Sequence, residues 1–330
     1  MSTSCNYEKI KGTFTSSDGE NTVPYYIYIP SGNPFAVLQI SHGMCEYIER
    51  YEKEGFISLL CDAGIVVCGN DHIGHGPGTS LENLGYFTDY EVLTSDLHIL
   101  NGIVKKRYPS LPYVLFGQGM GSFIARDYAT KFDDIDGAVF SATTAGDKPL
   151  GATKFLADTI CKLKGAKHRS KLLDKLTFGS YNKGFEIEND TVSYLTSDPS
   201  VRQRYRNDKY CSYKFTSAAM RELAKLLIAI SCAEWVEKTP ISLPVLIVSG
   251  EKDPLADGGE GIKTLYAALE DHEMNELKMK LYPEGRHEIF YDACRKEAMS
   301  DLIEWIKEVA DGVVACRSYN SIPFGKVDFS

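Results

Sequence analysis

No stretch of this 330-residue sequence approaches the roughly eighteen consecutive apolar residues that a membrane-spanning helix requires. The richest segment, Leu223 to Val236, is broken by Lys225, Ser231 and Glu234. Excess positive charge is lacking too. Against 36 Lys and Arg stand 45 Asp and Glu, a formal −9, which argues against a nucleic-acid surface. The nine cysteines show no C-x-x-C spacing, so the common zinc motifs are excluded and the thiols read as reduced, as in the cytoplasm. The first twelve residues are polar and hold no apolar signal core. Hydrophobic residues at 43% and charged residues at 25% are ordinary for a globular chain. The length suits one large domain with an insertion, or two domains.

One further absence bears on chemistry. Gly117-Gln118-Gly119-Met120-Gly121 follows the apolar run Tyr113 to Phe116 and opens a helix-like stretch, Ser122 to Phe132. Strand, tight turn and helix are the setting of the G-x-S-x-G nucleophile elbow, whose middle residue pushes a hydroxyl into the site from a strained backbone. Here the middle residue is Gly119. It suits the backbone and has nothing to attack with.

Short, continuously apolar runs alternate with helix-length segments. The runs Ala36 to Ile40, Ile65 to Cys68, Tyr113 to Phe116, Gly137 to Phe140 and Val245 to Val248 read as strands covered on both faces of a parallel sheet. Thr22 to Ile29 reads as a strand placed at an edge by Pro24. Helical patterns run from Glu49 to Ala63, Ser95 to Tyr108 and Glu297 to Ala310. The spacing therefore predicts an α/β fold with right-handed crossovers. Residues 147–240 interrupt the alternation. They read as helices over Phe155 to Lys164, Lys171 to Leu176 and Ser217 to Glu237, with a polar loop from Asn182 to Tyr210. The expected organisation is a core of 1–146 and 241–312, an insertion of 147–240 that either docks on the core or roofs a site as a lid, and a tail of 313–330.

Three more segments fall at strand ends, where open α/β sheets place their ligands. Ser41-His42-Gly43-Met44 follows the run from Ala36. There a backbone N–H of Met44, paired with that of Met120, would face a developing oxyanion; an ordinary glycine turn is the plainer alternative. Ser249-Gly250-Glu251-Lys252-Asp253-Pro254 follows the run from Val245, and Asp253 is the best carboxylate to orient an imidazole. Glu251 and Asp257 are rivals, and an Asp-Pro turn would also explain the pattern. His287 follows the strand Leu277 to Tyr282. The order Gly119, Asp253, His287 is that of nucleophile, acid and histidine in α/β-hydrolases.

On these residues the chain resembles the monoacylglycerol lipase and lysophospholipase branch of the α/β-hydrolase superfamily. The matching segments are His42 to Glu46 with Arg50-Tyr51, Asp71-His72-Ile73-Gly74-His75-Gly76, the elbow with Met120-Gly121, Ser249 to Pro254, and Arg286-His287-Glu288. They span roughly residues 10–310. The resemblance implies an α/β-hydrolase fold, a mostly parallel sheet flanked by helices, with a helical cap at 147–240. It implies Asp253 and His287 as acid and base, and Met44 and Met120 amides as the oxyanion hole. It assigns His72 and His75 a structural part. It further implies a small apolar ester or lipid-like substrate, no cofactor, no nucleic acid and at most peripheral membrane contact through the lid.

The family's nucleophile falls at Gly119, and its usual preceding histidine at Gln118. Without a hydroxyl no acyl-enzyme forms. Ser122, three residues on, belongs inside the helix and faces away from His287. Cys45, beside the oxyanion turn, would need a lowered pKa and a line to His287. Three explanations are consistent with Gly119: an engineered Ser→Gly change, a natural pseudohydrolase that binds a lipid-like ligand or a partner, or a water weakly activated by His287. A different class is a dinucleotide site. Gly117 to Ser122 approximates G-x-G-x-x-G, and Asp133, Asp134 or Asp136 could serve the ribose. That fingerprint belongs to a first βα turn, however, and leaves Asp253 and His287 unexplained.

Overall fold

Chain segments that are apolar at every position can be satisfied only between two covering layers, and the computed structural model, which describes residues 6–145 and 150–320, places them there. The strands are β1 Tyr7–Thr15, β2 Thr22–Pro30, β3 Ala36–Ser41, β4 Ile65–Asn70, β5 Tyr113–Gln118, β6 Gly137–Ser141, β7 Val245–Gly250 and β8 Leu277–Tyr282. They form one sheet in the order β1-β2-β4-β3-β5-β6-β7-β8. β2 runs antiparallel to both β1 and β4; all other pairs are parallel. Every residue of β3, β4, β5, β6 and β7 is buried.

Eleven helices are described: α1 Ile48–Lys53, α2 Phe56–Asp62, α3 Tyr90–Arg107, α4 Met120–Ala129, α5 Leu150–Lys164, α6 Lys171–Phe178, α7 Pro199–Asn207, α8 Ser217–Ile230, α9 Ala233–Lys238, α10 Glu260–Asp271 and α11 Arg295–Asn320. Successive residues of β5 serve opposite layers. Val114 and Phe116 join a core with Phe56, Leu302 and Ile306, while Leu115 joins one with Leu97, Ile124 and Ala219. The C-terminal ends of β5, β7 and β8 thus meet at one edge of the parallel sheet.

Several boundaries differ from the sequence expectation, each for a local reason. β2 is interior, because β1 covers it. Pro24 is tolerated since its carbonyl, on the β4 side, accepts from Asp71, one residue beyond the last paired position, Tyr25 with Asn70. The helix expected from Glu49 to Ala63 breaks at Gly55, which has φ 84°. The helix expected from Ser217 to Glu237 breaks after Ile230, whose carbonyl accepts from Arg126 at 2.6 Å. The polar stretch Asn182 to Tyr210 holds α7, started by the Asp198 carboxylate on the Ser200 N–H and by Pro199 at the first helical position. α11 passes through the expected boundary at 312, because Val313 continues the stripe of Leu302, Ile306 and Val309. Residues 321–330 of the expected tail, and 146–149 at the start of the expected insertion, lie outside the described residues.

Five helices, α5 to α9, lie between β6 and β7. Arg126 of α4 binds them to the sheet layer. Fully buried, it donates to the carbonyls of Ile230 and Thr144, and its guanidinium lies 4.2 Å from the ring of Trp235. The Trp235 indole N–H in turn donates to the Arg126 carbonyl at 2.9 Å. No carboxylate faces this cation among the described residues, and burial pulls it down to about 9.

Candidate active site

Gly119 joins β5 to α4 with φ 53° and ψ −119°, a left-handed backbone that glycine adopts at little cost. Met120 is the first helical residue, so its N–H has no partner in the preceding turn and lies at the positive end of the helix dipole. A β-carbon on Gly121 would fall 1.9 Å from the Ser41 carbonyl oxygen, so only glycine lets this turn sit against the end of β3. Ser122 is buried, and its hydroxyl donates to the Gly119 carbonyl at 2.6 Å within the first turn of α4.

At the ends of β7 and β8, Asp253 and His287 meet. His287 Nδ1 lies 3.0 Å from Asp253 Oδ2, while Asp253 Oδ1 accepts from the Leu255 N–H. A carboxylate only accepts, so Nδ1 carries the proton and neutral Nε2 presents a lone pair. That Nε2 is directed at the elbow: it stands 3.1 Å from where a β-carbon on Gly119 would be. Burial disfavours the imidazolium, but the adjacent Asp253 charge and hydrogen bond prevail and raise its pKa. The rivals do not compete, since Glu251 and Asp257 are exposed and Asp253 is fully buried. Gln118 supports the imidazole loop. Its amide donates to the His287 carbonyl at 3.0 Å, and its own carbonyl accepts from Ser141 at 2.7 Å. From the inserted helical segment, the carbonyls of Tyr194 and Leu195 accept the N–H groups of His287 and Glu288.

Behind the Gly43-Met44 turn lies a cluster of buried histidines. His42 Nδ1 donates to the Gly43 carbonyl at 2.8 Å, and the His72 N–H donates to His42 Nε2 at 2.9 Å. The ring centroid of His42 is 4.3 Å from that of His72 and 5.1 Å from that of His75. Burial lowers all three, His72 to about 3 and His75 to about 4, so they stay neutral. Neutral and tilted against one another, the three imidazoles pack behind the turn.

Gly119, Met44, Met120 and His287 border one cavity of about 620 Å³, walled by apolar and aromatic side chains such as Phe123, Leu223 and Tyr194. Cys45 also borders it, at φ 57°. Burial drives its thiol well above the ordinary value and its sulfur donates to the Tyr213 carbonyl, so it is no thiolate nucleophile. Sequence reasoning used Glu46, Arg50 and Glu288 only as motif matches and missed their meeting. Arg50 forks onto Glu288 with two bonds of 2.7 Å, and Glu46 approaches the same guanidinium at 3.4 Å. Glu46 and Glu288 both line the cavity. Burial raises the Glu46 carboxyl to about 7, against the opposing pull of Arg50.

Of the three acids the dinucleotide alternative offered, Asp134 accepts from the Tyr128 hydroxyl and Asp136 from the Tyr113 N–H, while Asp133 is exposed; all three precede β6, and Tyr113 opens β5 at the opposite end of that strand from Gly119.

This sheet order, elbow and strand-end placement define an α/β-hydrolase. A family model described as serine aminopeptidase, S33, matches residues 32–293, and the chain belongs to that family. A monoacylglycerol lipase of Mycolicibacterium smegmatis is 25% identical over 285 residues, covering 86% of this chain and 92% of that protein. The human monoglyceride lipase is 27% identical over 278 residues, covering 84% and 82%. Among solved structures, a thermostable carboxyl esterase from Bacillus coagulans in complex with glycerol superposes with a TM-score of 0.84 at 27% identity, covering 92% and 99% of the two chains. The chain is thus of the ester-hydrolase type by its relatives, on the monoacylglycerol-lipase-like branch.

Proposed function

We propose that the cavity is a carboxylic-ester site for monoacylglycerol- or lysophospholipid-type substrates in which Gly119 occupies the nucleophile's station, so that the chain as it stands turns esters over very slowly. The observation that carries this is the Asp253–His287 pair directed at a left-handed elbow on the wall of an apolar cavity. In this reading Asp253 orients the imidazole, His287 is the general base, and the Met44 and Met120 amides form the oxyanion hole. Residues 147–240 act as a cap over a core of 1–146 and 241–312. No cofactor takes part, and the protein works in the cytoplasm on a lipid-like ester. Losing a triad nucleophile costs on the order of a millionfold in turnover. The missing hydroxyl favours a second reading, a pseudohydrolase that holds its ligand without cleaving it.

A chromogenic medium-chain ester separates the two. The unaltered chain is expected near background, and Gly119→Ser is expected to bring turnover and labelling by a serine-directed fluorophosphonate. A folded Gly119→Ser variant that stays inert would leave the binding reading in possession. Rapid hydrolysis by the unaltered chain that survives His287→Ala would refute the role of His287 in both.

A further inference from the structure

The stretch from Gly179 to Asp198, between α6 and α7, holds one 3₁₀ turn, Glu186–Glu188, so neither helix nor sheet ladder fixes most of it. It nevertheless lines the cavity through Tyr181, Val192, Tyr194 and Leu195, and it supplies the two carbonyls that hold the loop of His287. Charged side chains tie it down. Arg286, one residue before the imidazole, forks onto Glu188 with bonds of 3.1 and 2.5 Å, and donates to the Ser193 carbonyl at 2.6 Å. Its guanidinium lies 4.2 Å from the ring centroid of Phe185. From α7, Arg202 reaches Glu188 at 2.8 Å and Asp190 at 3.0 Å, and Arg206 also pairs with Asp190. Behind them the Asp292 carboxylate accepts the N–H of Arg286 at 2.8 Å and that of Ser197 at 2.9 Å. Arg286, Arg202 and Asp292 are buried, where water and salt screen charges little.

We infer that Arg286 is a positioning residue for His287: its fork onto Glu188 fixes the stretch from Phe185 to Leu195, which in turn holds the imidazole against Asp253. The inference rests on the proposed role of His287 as base. The contacts run in step. Arg286 bonds the Ser193 carbonyl through its side chain, while the N–H groups of His287 and Glu288 bond the carbonyls of Tyr194 and Leu195. Those two main-chain bonds are only as well placed as the irregular stretch that carries them. The fork sets that stretch, because a planar guanidinium on both oxygens of one carboxylate fixes direction as well as distance. A lysine would keep the attraction and lose the direction. On the same loop, Glu284 pairs at 2.6 Å with Lys252, an exposed contact within the core that leaves the inserted segment alone.

The test is histidine-labelled NMR of the full chain across pH, the His287 titration being the one that His287→Ala abolishes. Burial lowers this imidazole, while Asp253, Glu288 and Glu46 raise it above the ordinary value. Were Arg286 and Glu188 to act only through their fields, Arg286→Met would raise the titration and Glu188→Gln would lower it. Loosening the Asp253 contact lowers it in both variants, and in the double variant by no more than in either single one. Arg286→Lys keeps the charge and loses the fork, so it too should lower the titration, and it decides the matter should Arg286→Met not fold. Glu284→Gln should titrate like the parent. Shifts in opposite directions, or titrations at the parent position in variants whose thermal transitions show them folded, would overturn the proposal. In the Gly119→Ser background, Arg286→Met should lose on the order of a hundredfold in kcat, as a displaced catalytic group does. An inert Gly119→Ser would count against the ester function alone, because the titration needs no turnover.

Discussion

His287 Nε2 stands 3.1 Å from the point a β-carbon on Gly119 would occupy, closer than an unstrained contact allows. Any side chain at 119 must therefore push the imidazole back by a few tenths of an ångström. It must also hold φ near 53°, which costs a non-glycine residue about 1–2 kcal/mol. Gly119→Ser is thus expected to lower stability by about 1–2 kcal/mol while conferring hydrolysis. Urea titrations would read this as a lower midpoint with unchanged slope. A serine variant as stable as the parent would mean the elbow is not strained in this chain.

With the hydroxyl in place, His287 must be neutral to act as base. Asp253 raises its pKa, so kcat/KM of Gly119→Ser should rise with pH through an inflection above the ordinary value of about 6.5. Asp253→Asn in that background should move the inflection down and cut turnover by on the order of ten-thousandfold. Stability follows the opposite slope. A raised imidazole contributes fully below about pH 6.5 and loses its contribution as pH climbs through the folded value. Asp253→Asn should therefore destabilise more in acid than in alkali. A pH-independent loss would contradict the pairing.

Glu46 provides a second titration. Its carboxyl is raised to about 7 by burial, so the folded chain holds a proton that the unfolded chain releases near 4.5. That contribution is full below about pH 4.5 and lost as pH rises through about 7. Glu46→Gln removes the dependence. Its stability relative to the parent should grow across this window, measured by denaturant midpoints at several pH values. A constant difference would mean that Arg50 keeps Glu46 ionised throughout.

Arg126 supplies the only side-chain donors described to the Ile230 carbonyl. Arg126→Ala removes those bonds, the stacking on Trp235 and a large buried volume. A loss of about 3 kcal/mol or more is expected. Arg126→Met keeps most of the volume and should lose less. If calorimetry shows the two variants equally affected, packing under Trp235 contributes little and the hydrogen bonds dominate.

The parallel strands were legible because burial on both faces leaves no polar position inside them, as in Val245 to Val248. β1 was not, since its burial alternates and only its pairing with β2 makes it a strand. Gly119, Asp253 and His287 could be read because each follows its own strand, and strand ends in this fold converge. The Glu46–Arg50–Glu288 set could not, because Arg50 and Glu288 are 238 residues apart and ordinary surface pairs look the same in sequence. The sequence placed α7 in a loop, because a helix rich in arginine shows little apolar periodicity even when Val201 and Tyr205 are buried.

The two carbonyls of Tyr194 and Leu195 have a mechanical consequence. They hold the main chain of the very loop that carries the imidazole, so the inserted segment and His287 are stitched together by backbone bonds. An inserted segment that swung away as one body would tear that stitch and let His287 drift from Asp253. Any movement of the inserted segment that admits a ligand and still keeps the imidazole in place must therefore leave 194–195 where they are.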